Sequence, residues 1–157
     1  MDEKIEAVLT EQPPGKALLR ALKTFLLCDS YLLEVDANER SITFLIARYL
    51  AVELPEFHVD CEYNRDGVDP KKLGYFNLHP DEEDADARTV FPDIIAHHRG
   101  TDDNYLVIEV KKATNPVTRD VDFAKLAGYK RELGYRYSVF VELTAAPEAG
   151  VSRVEWV

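Results

Sequence analysis

The chain has only two cysteines and one tryptophan among 157 residues. Two cysteines are too few for a disulfide framework, and no Cys/His spacing suggests a zinc site. Both cysteines stand among apolar neighbours (Leu26-Leu27-Cys28; Val59-Asp60-Cys61). The expectation is two small buried side chains in a reduced, cytoplasmic protein. No apolar run approaches the ~18 residues of a membrane span. The opening Met1-Asp2-Glu3-Lys4 lacks the basic-then-apolar pattern of a secretory signal. Basic charge is also scarce, with 19 Lys+Arg against 29 Asp+Glu, a net −10. That balance excludes a protein that coats nucleic acid by bulk charge. Disorder is excluded as well, since 46% of the residues are hydrophobic. The length suits one domain over residues 1–157. Residues 1–35 read as an N-terminal helical extension and 65–90 as a long polar, acidic loop insertion.

What is present is a change of period along the chain. After a short N-terminal helix, Pro13-Pro14-Gly15 breaks the pattern. Ala17, Leu18, Ala21, Leu22 and Phe25 then recur at helical spacing. Asp36-Ala37-Asn38-Glu39 reads as a helix start in which Asp or Asn can cap the first turn, and Asp36 and Glu39 have capping-box spacing. Ile42, Leu45, Ile46, Tyr49 and Leu50 supply one apolar face up to Pro55. From Phe57 the period is two: Phe57, Val59, Cys61 and Tyr63 alternate with polar residues, as in a half-buried strand. Residues 91–98 and 105–112 read as two strands joined at a Gly100-Thr101-Asp102-Asp103-Asn104 turn. Asp120 is expected to cap a helix that stops at Gly134. A strand over 135–143 and an edge strand over 151–157 complete the order.

Tyr105-Leu106-Val107-Ile108-Glu109-Val110-Lys111-Lys112 places Glu109 and Lys111 on one face of an apolar strand. Charges there cost free energy unless they are paired or bound to an ion. In a hairpin, the preceding strand start Pro92-Asp93 lies opposite the Glu109–Lys111 end. Two carboxylates and an ammonium then converge, and hard oxygen ligands suit Mg²⁺ or Mn²⁺.

Pro92-Asp93 followed sixteen residues later by Glu109-Val110-Lys111 resembles the motif of the PD-(D/E)XK nuclease superfamily. The element order resembles that superfamily's restriction-endonuclease-like αβββαβ core, an α/β fold with a mixed central sheet flanked by helices. Glu39 stands where members often carry an acid on the first core helix. Residues 60–65, 91–100 and 107–112 further resemble small stand-alone prokaryotic members. The likeness covers residues 38–143. It implies a Mg²⁺-dependent phosphodiesterase acting on nucleic acid, with Mn²⁺ able to substitute. Asp93, Glu109 and the Val110 carbonyl are then the metal ligands. Lys111 holds the attacking water, and Glu39 serves a second metal or its water.

Arg65, Lys112 and Lys125 are the candidates for contacting substrate phosphates. Before position 111 the chain holds 11 basic and 23 acidic residues; from there on it holds 8 and 6. Lys111, Lys112, Arg119, Lys125, Lys130 and Arg131 are therefore expected to form a modest basic patch. Each candidate has a plainer alternative. Glu109 and Lys111 can be a cross-strand ion pair, Asp93 a strand-start residue, and Glu39 a first-turn acid. His97 and His98 read as structural, and the acidic run 81–86 as a solvated loop tip. DNA is the expected partner, bound weakly, with a homodimer or a targeting protein as a further partner and no membrane association. The rival expectation is a catalytically silent interaction module on the same fold.

Overall fold

A computed structural model describes residues 1–63, 65, 66, 69, 70, 72, 73, 88, 89 and 91–157. The acidic run 81–86 lies outside the described residues, and the side chain of Arg65 lies outside what is described. The chain opens with α1 (Glu3–Leu9), α2 (Gly15–Asp29), the one-turn α3 (Tyr31–Glu34) and α4 (Glu39–Glu53). There follow β1 (His58–Cys61) and the short segments β2 (Arg65–Asp66), β3 (Asp69–Pro70), β4 (Lys72–Leu73) and β5 (Arg88–Thr89). Then come β6 (Ile94–His97), β7 (Asn104–Lys112), α5 (Asp120–Leu133), β8 (Tyr137–Thr144) and β9 (Gly150–Trp156). The stretch read as one loop thus contains two short antiparallel ladders, β2 with β3 and β4 with β5.

The central sheet runs β1-β6-β7-β8-β9. Only β7 and β8 are parallel, because α5 carries the chain back between them. Alternation along the strands separates two cores. Ile94, Ala96, Leu106, Ile108 and Val110 point to the side covered by α2 and α4. Ile95, Val107 and Phe140 point to the α5 side, against Leu126 and Tyr129. Glu109 and Lys111 have the parity of Val107, so they enter the α5 side of the sheet.

Two local expectations are corrected, and one open alternative is decided. Cys28 is exposed and Cys61 half-buried; on α2 the neighbours of Cys28 in sequence are not its neighbours on the helix face. The cap of α4 is Asn38, whose side chain accepts from the Ser41 N–H at 2.9 Å, and not Asp36. Asp36 instead has φ 50° and receives the Lys112 ammonium at 2.8 Å. Asp120 is the first residue of α5 and not its cap, which is Arg119, whose side chain makes no capping bond. The stop at Gly134 is as expected, with φ 67°.

α1 docks on β9 through the indole N–H of Trp156, which donates to the Val8 carbonyl at 2.9 Å. Gly15 makes this approach feasible. A Cβ built there would lie 1.5 Å from the Leu9 carbonyl oxygen and 3.3 Å from the Trp156 ring. Gly15→Ala is therefore expected to cost at least about 2 kcal/mol by overpacking. As Trp156 is the single tryptophan, its emission reports the loss of docking during a thermal melt. An unchanged midpoint and spectrum would contradict the close approach.

Candidate functional site

β7 outruns β6. Their pairing ends at Ile94 opposite Ile108, and β7 continues to Lys112 with no β6 partner. Its N–H groups on that side need other acceptors. Two carboxylates supply them. Asp93 Oδ2 accepts from the Val110 N–H at 2.7 Å, and Glu39 Oε2 accepts from the Lys112 N–H at 2.7 Å. In a strand the N–H and C=O of one residue face the same neighbour. The Val110 carbonyl therefore also faces the side of Asp93 and Glu39. Asn115 holds Glu39 in place from its other side, with Nδ2 2.9 Å from Oε1.

Glu109 is buried on the α5 side. Its Oε2 lies 3.1 Å from Lys125 Nζ, and its Oε1 accepts from the Tyr129 hydroxyl at 3.2 Å. Lys111, also buried, forms an ion pair with Asp122 at 2.5 Å. Asp122, Lys125 and Tyr129 follow at steps of three and four on α5, so one helix face meets the Glu109–Lys111 face of β7.

The electrostatics follow from this crowding. Burial pushes the Asp93 carboxyl up to about 6, with the Val110 N–H and Lys125 pulling down and Glu39 pushing up. Burial, then the charge of Asp93, pushes Glu109 up to about 8 against the pull of Lys125. Burial raises the Tyr129 hydroxyl as well, with Glu109 adding to it. Lys125 is held above its ordinary value: burial opposes its charge, and Glu109 outweighs that.

A cleft of about 330 Å³ opens beside Asp93, lined by Glu39, Arg40, Thr43, Phe44, Cys61, Glu62 and Asp93. Phe44 is largely exposed there. Arg40 pairs with Glu62 at 2.8 Å at the rim. Among the described residues, Asp93 Oδ1 has no hydrogen-bond partner, which leaves one carboxylate oxygen free for a ligand.

The sequence-predicted residues are thus placed as follows. Asp93, Glu109, Val110 and Lys111 meet at the end of β7, with Glu39 beside them. Lys125 joins them through Glu109. Lys112 is spent on Asp36 and on the Ala37 carbonyl at 2.7 Å. The cations expected to form a basic patch are all engaged. Besides Lys111, Lys112 and Lys125, Arg119 meets Glu142 at 2.7 Å, Lys130 donates to the Val157 carbonyl at 2.7 Å, and Arg131 pairs with Glu132. The histidines are paired elsewhere: His97 with Asp60 at 2.9 Å, His98 with Asp103 at 2.6 Å. Asp122 and Asn115 were not singled out from the sequence. The signal for Asp122 was present in its spacing with Lys125 and Tyr129; Asn115 sits in a loop with no such pattern.

Among the described residues, no group of three or more His, Cys, Asp and Glu side chains is close enough to hold a metal ion. The donor set is nonetheless right in kind for a hard cation. It comprises two mutually repelling carboxylates, one of them with a free oxygen, and a backbone carbonyl, with oxygen alone as the donor atom. None of the described helices is long and apolar enough to cross a membrane. The chain matches no family model, no curated protein and no solved structure.

Proposed function

We propose that this chain is a metal-dependent phosphodiesterase of PD-(D/E)XK type, acting on nucleic acid, with DNA the preferred substrate. One observation carries the reading: Glu109 and Lys111 share one face of β7 where it outruns its neighbour, and Asp93 bonds the N–H of Val110 between them. An ordinary sheet has no need to bury two carboxylates and an ammonium there. The order α4, β1, β6, β7, α5, β8 supports a restriction-endonuclease-like core around it.

Bound Mg²⁺ or Mn²⁺ would polarise a phosphoryl oxygen and lower the pKa of an attacking water. Asp93 and Glu109, with the Val110 carbonyl, are the groups to hold it. Lys111 orients the attacking water and offsets charge growing on the phosphate. Glu39 flanks Asp93 along the same strand edge and would hold a second cation or its water. The cleft beside Asp93 gives the substrate its approach. The exposed Phe44 ring offers a stacking face, and Arg40 can exchange Glu62 for a phosphate at little cost, since exposed ion pairs contribute little.

A second reading has its own support. With the cations after position 110 so largely engaged by anions or carbonyls, this surface attracts nucleic acid weakly. That favours a nuclease subunit that borrows affinity from a partner, or a silent interaction module. A cleavage panel separates them, using supercoiled, linear, nicked and single-stranded DNA plus RNA, with Mg²⁺ or Mn²⁺. Wild type is compared with Asp93→Asn, which keeps an acceptor for the Val110 N–H. Loss of cleavage by about 10³-fold or more in Asp93→Asn supports the enzyme. A metal-dependent rise in Tm without cleavage supports the subunit. Neither effect would leave the module.

A further inference from the structure

Lys125 stands between two carboxylates. Its Nζ is 3.1 Å from Glu109 Oε2 and 4.0 Å from Asp122 Oδ1. The other Asp122 oxygen is committed to Lys111 at 2.5 Å, and among the described residues Oδ1 has no closer partner than Lys125. Lys125 is also the freer of the two lysines, with 27% of its side chain exposed against 7% for Lys111. A shift of roughly 1 Å would bring Nζ from the 4.0 Å contact into hydrogen-bond range of Asp122. Its flexible four-carbon stem allows that shift.

We propose that Lys125 is a built-in counter-cation for Glu109, displaced when a divalent metal binds, and that Asp122 receives it. This rests on the metal-dependent reading above. The geometry favours such an exchange. Both oxygens of Glu109 are engaged, one by Lys125 and one by Tyr129. A divalent cation on Oε2 would sit against the Lys125 ammonium and repel it. With the carboxylates ionised, Asp93, Glu109 and Asp122 face Lys111 and Lys125, one net negative charge in all. A divalent ion entering beside Glu109 repels Lys125 toward the carboxylate that is nearest to it and only half used. Arrival of Lys125 at Asp122 then divides that carboxylate between two ammonium groups. Lys111 is loosened from its 2.5 Å pair and becomes available to the substrate only once metal is in place. Lys125 is in this sense a positioning residue, and it acts through Glu109 and Asp122.

The test needs no nucleic acid. Mn²⁺ binding is measured by titration calorimetry, with electron paramagnetic resonance of free Mn²⁺ as a second readout. The proteins are wild type, Lys125→Met, Lys111→Met, Lys125→Arg and Lys111→Met/Lys125→Met, with Asp93→Asn as the reference for lost binding. Lys125→Met removes the competing cation and keeps most of the stem, so Mn²⁺ binds about tenfold tighter or more. Lys125→Arg keeps the charge but grips Glu109 through a forked guanidinium, so Mn²⁺ binds more weakly than to wild type. Adding Lys111→Met to Lys125→Met changes affinity little, because no displaced lysine then needs Asp122. Wild-type binding that Lys125→Met leaves equal or weaker overturns the exchange while the metal-dependent reading stands. Tighter binding by Lys125→Arg, or an additive double variant, also overturns it, because simple charge removal would then explain the affinities. Absence of Mn²⁺ binding in wild type and Lys125→Met alike overturns both. Binding by Lys125→Met alone supports the exchange most strongly.

Discussion

Asp122→Ala is expected to destabilise the protein by about 3–5 kcal/mol, because it leaves the buried Lys111 ammonium without the carboxylate it is paired to. Lys111 and Asp122 are both nearly inaccessible and 2.5 Å apart. Removing the lysine should cost less than removing the aspartate. Asp122 has a second cation in reach, Lys125 at 4.0 Å, whereas among the described residues Lys111 has Asp122 alone. Lys111→Met is thus the milder variant, and Lys111→Met/Asp122→Leu should come close to wild-type stability. Urea unfolding with a common m-value checks the order. A loss under about 1 kcal/mol for Asp122→Ala would mean that the pair behaves like an exposed one.

The second large effect is on the pH dependence of stability without divalent metal. Asp93 and Glu109 have folded values of about 6 and about 8, both above the ordinary carboxylate range. A raised folded value means that the native state binds the proton more tightly than the unfolded chain does. The associated stability is full below about pH 4 and is lost as pH rises through 6 and then 8. Tm should therefore fall between pH 5 and pH 8.5. His98, raised by its bond to Asp103, slopes the same way, so the wild-type curve alone does not isolate the site. Asp36, Asp60 and Asp103 are lowered and titrate below this window. Glu109→Gln keeps the shape and removes the ionisation. It should flatten most of the slope, leaving the variant more stable than wild type at pH 8.5 by a few kcal/mol. Mn²⁺ should also reduce the slope in wild type, since it binds the ionised carboxylates. Parallel wild-type and Glu109→Gln curves would show that Glu109 is better solvated than its burial indicates.

Much of this arrangement was legible from local pattern. The hairpin of β6 and β7 followed from alternation and a polar tip, and with it the approach of Asp93 to Val110. The end of α5 followed from Gly134. What was not legible depends on partners far away in the sequence. Asp36 and Asn38 were both open as the α4 cap, since Asp36 has capping-box spacing to Glu39 and Asn38 adjoins the first turn. Lys112, 76 residues on, claims the Asp36 carboxylate instead. Lys111 and Asp122 lie on different elements joined by a loop, so no period marks them as a pair. Cys28 was misplaced because apolar neighbours along a chain say little about a helix, where Leu27 beside it is 85% exposed. The lysines and arginines after position 110 read as a patch from their count. In the fold their partners are carboxylates and carbonyls that the count did not include.

The overhanging edge of β7 has a consequence for self-association. A strand that outlasts its neighbour presents unpaired N–H groups on which a foreign strand can add. Here the Val110 and Lys112 N–H groups are occupied by the side chains of Asp93 and Glu39. The same carboxylates that flank the proposed reaction centre also close this edge against β-augmentation by another chain. Alanine at either position therefore reopens a template for aggregation as well as emptying the site. Asparagine at 93 or glutamine at 39 keeps a carbonyl oxygen on the edge and confines the loss to chemistry.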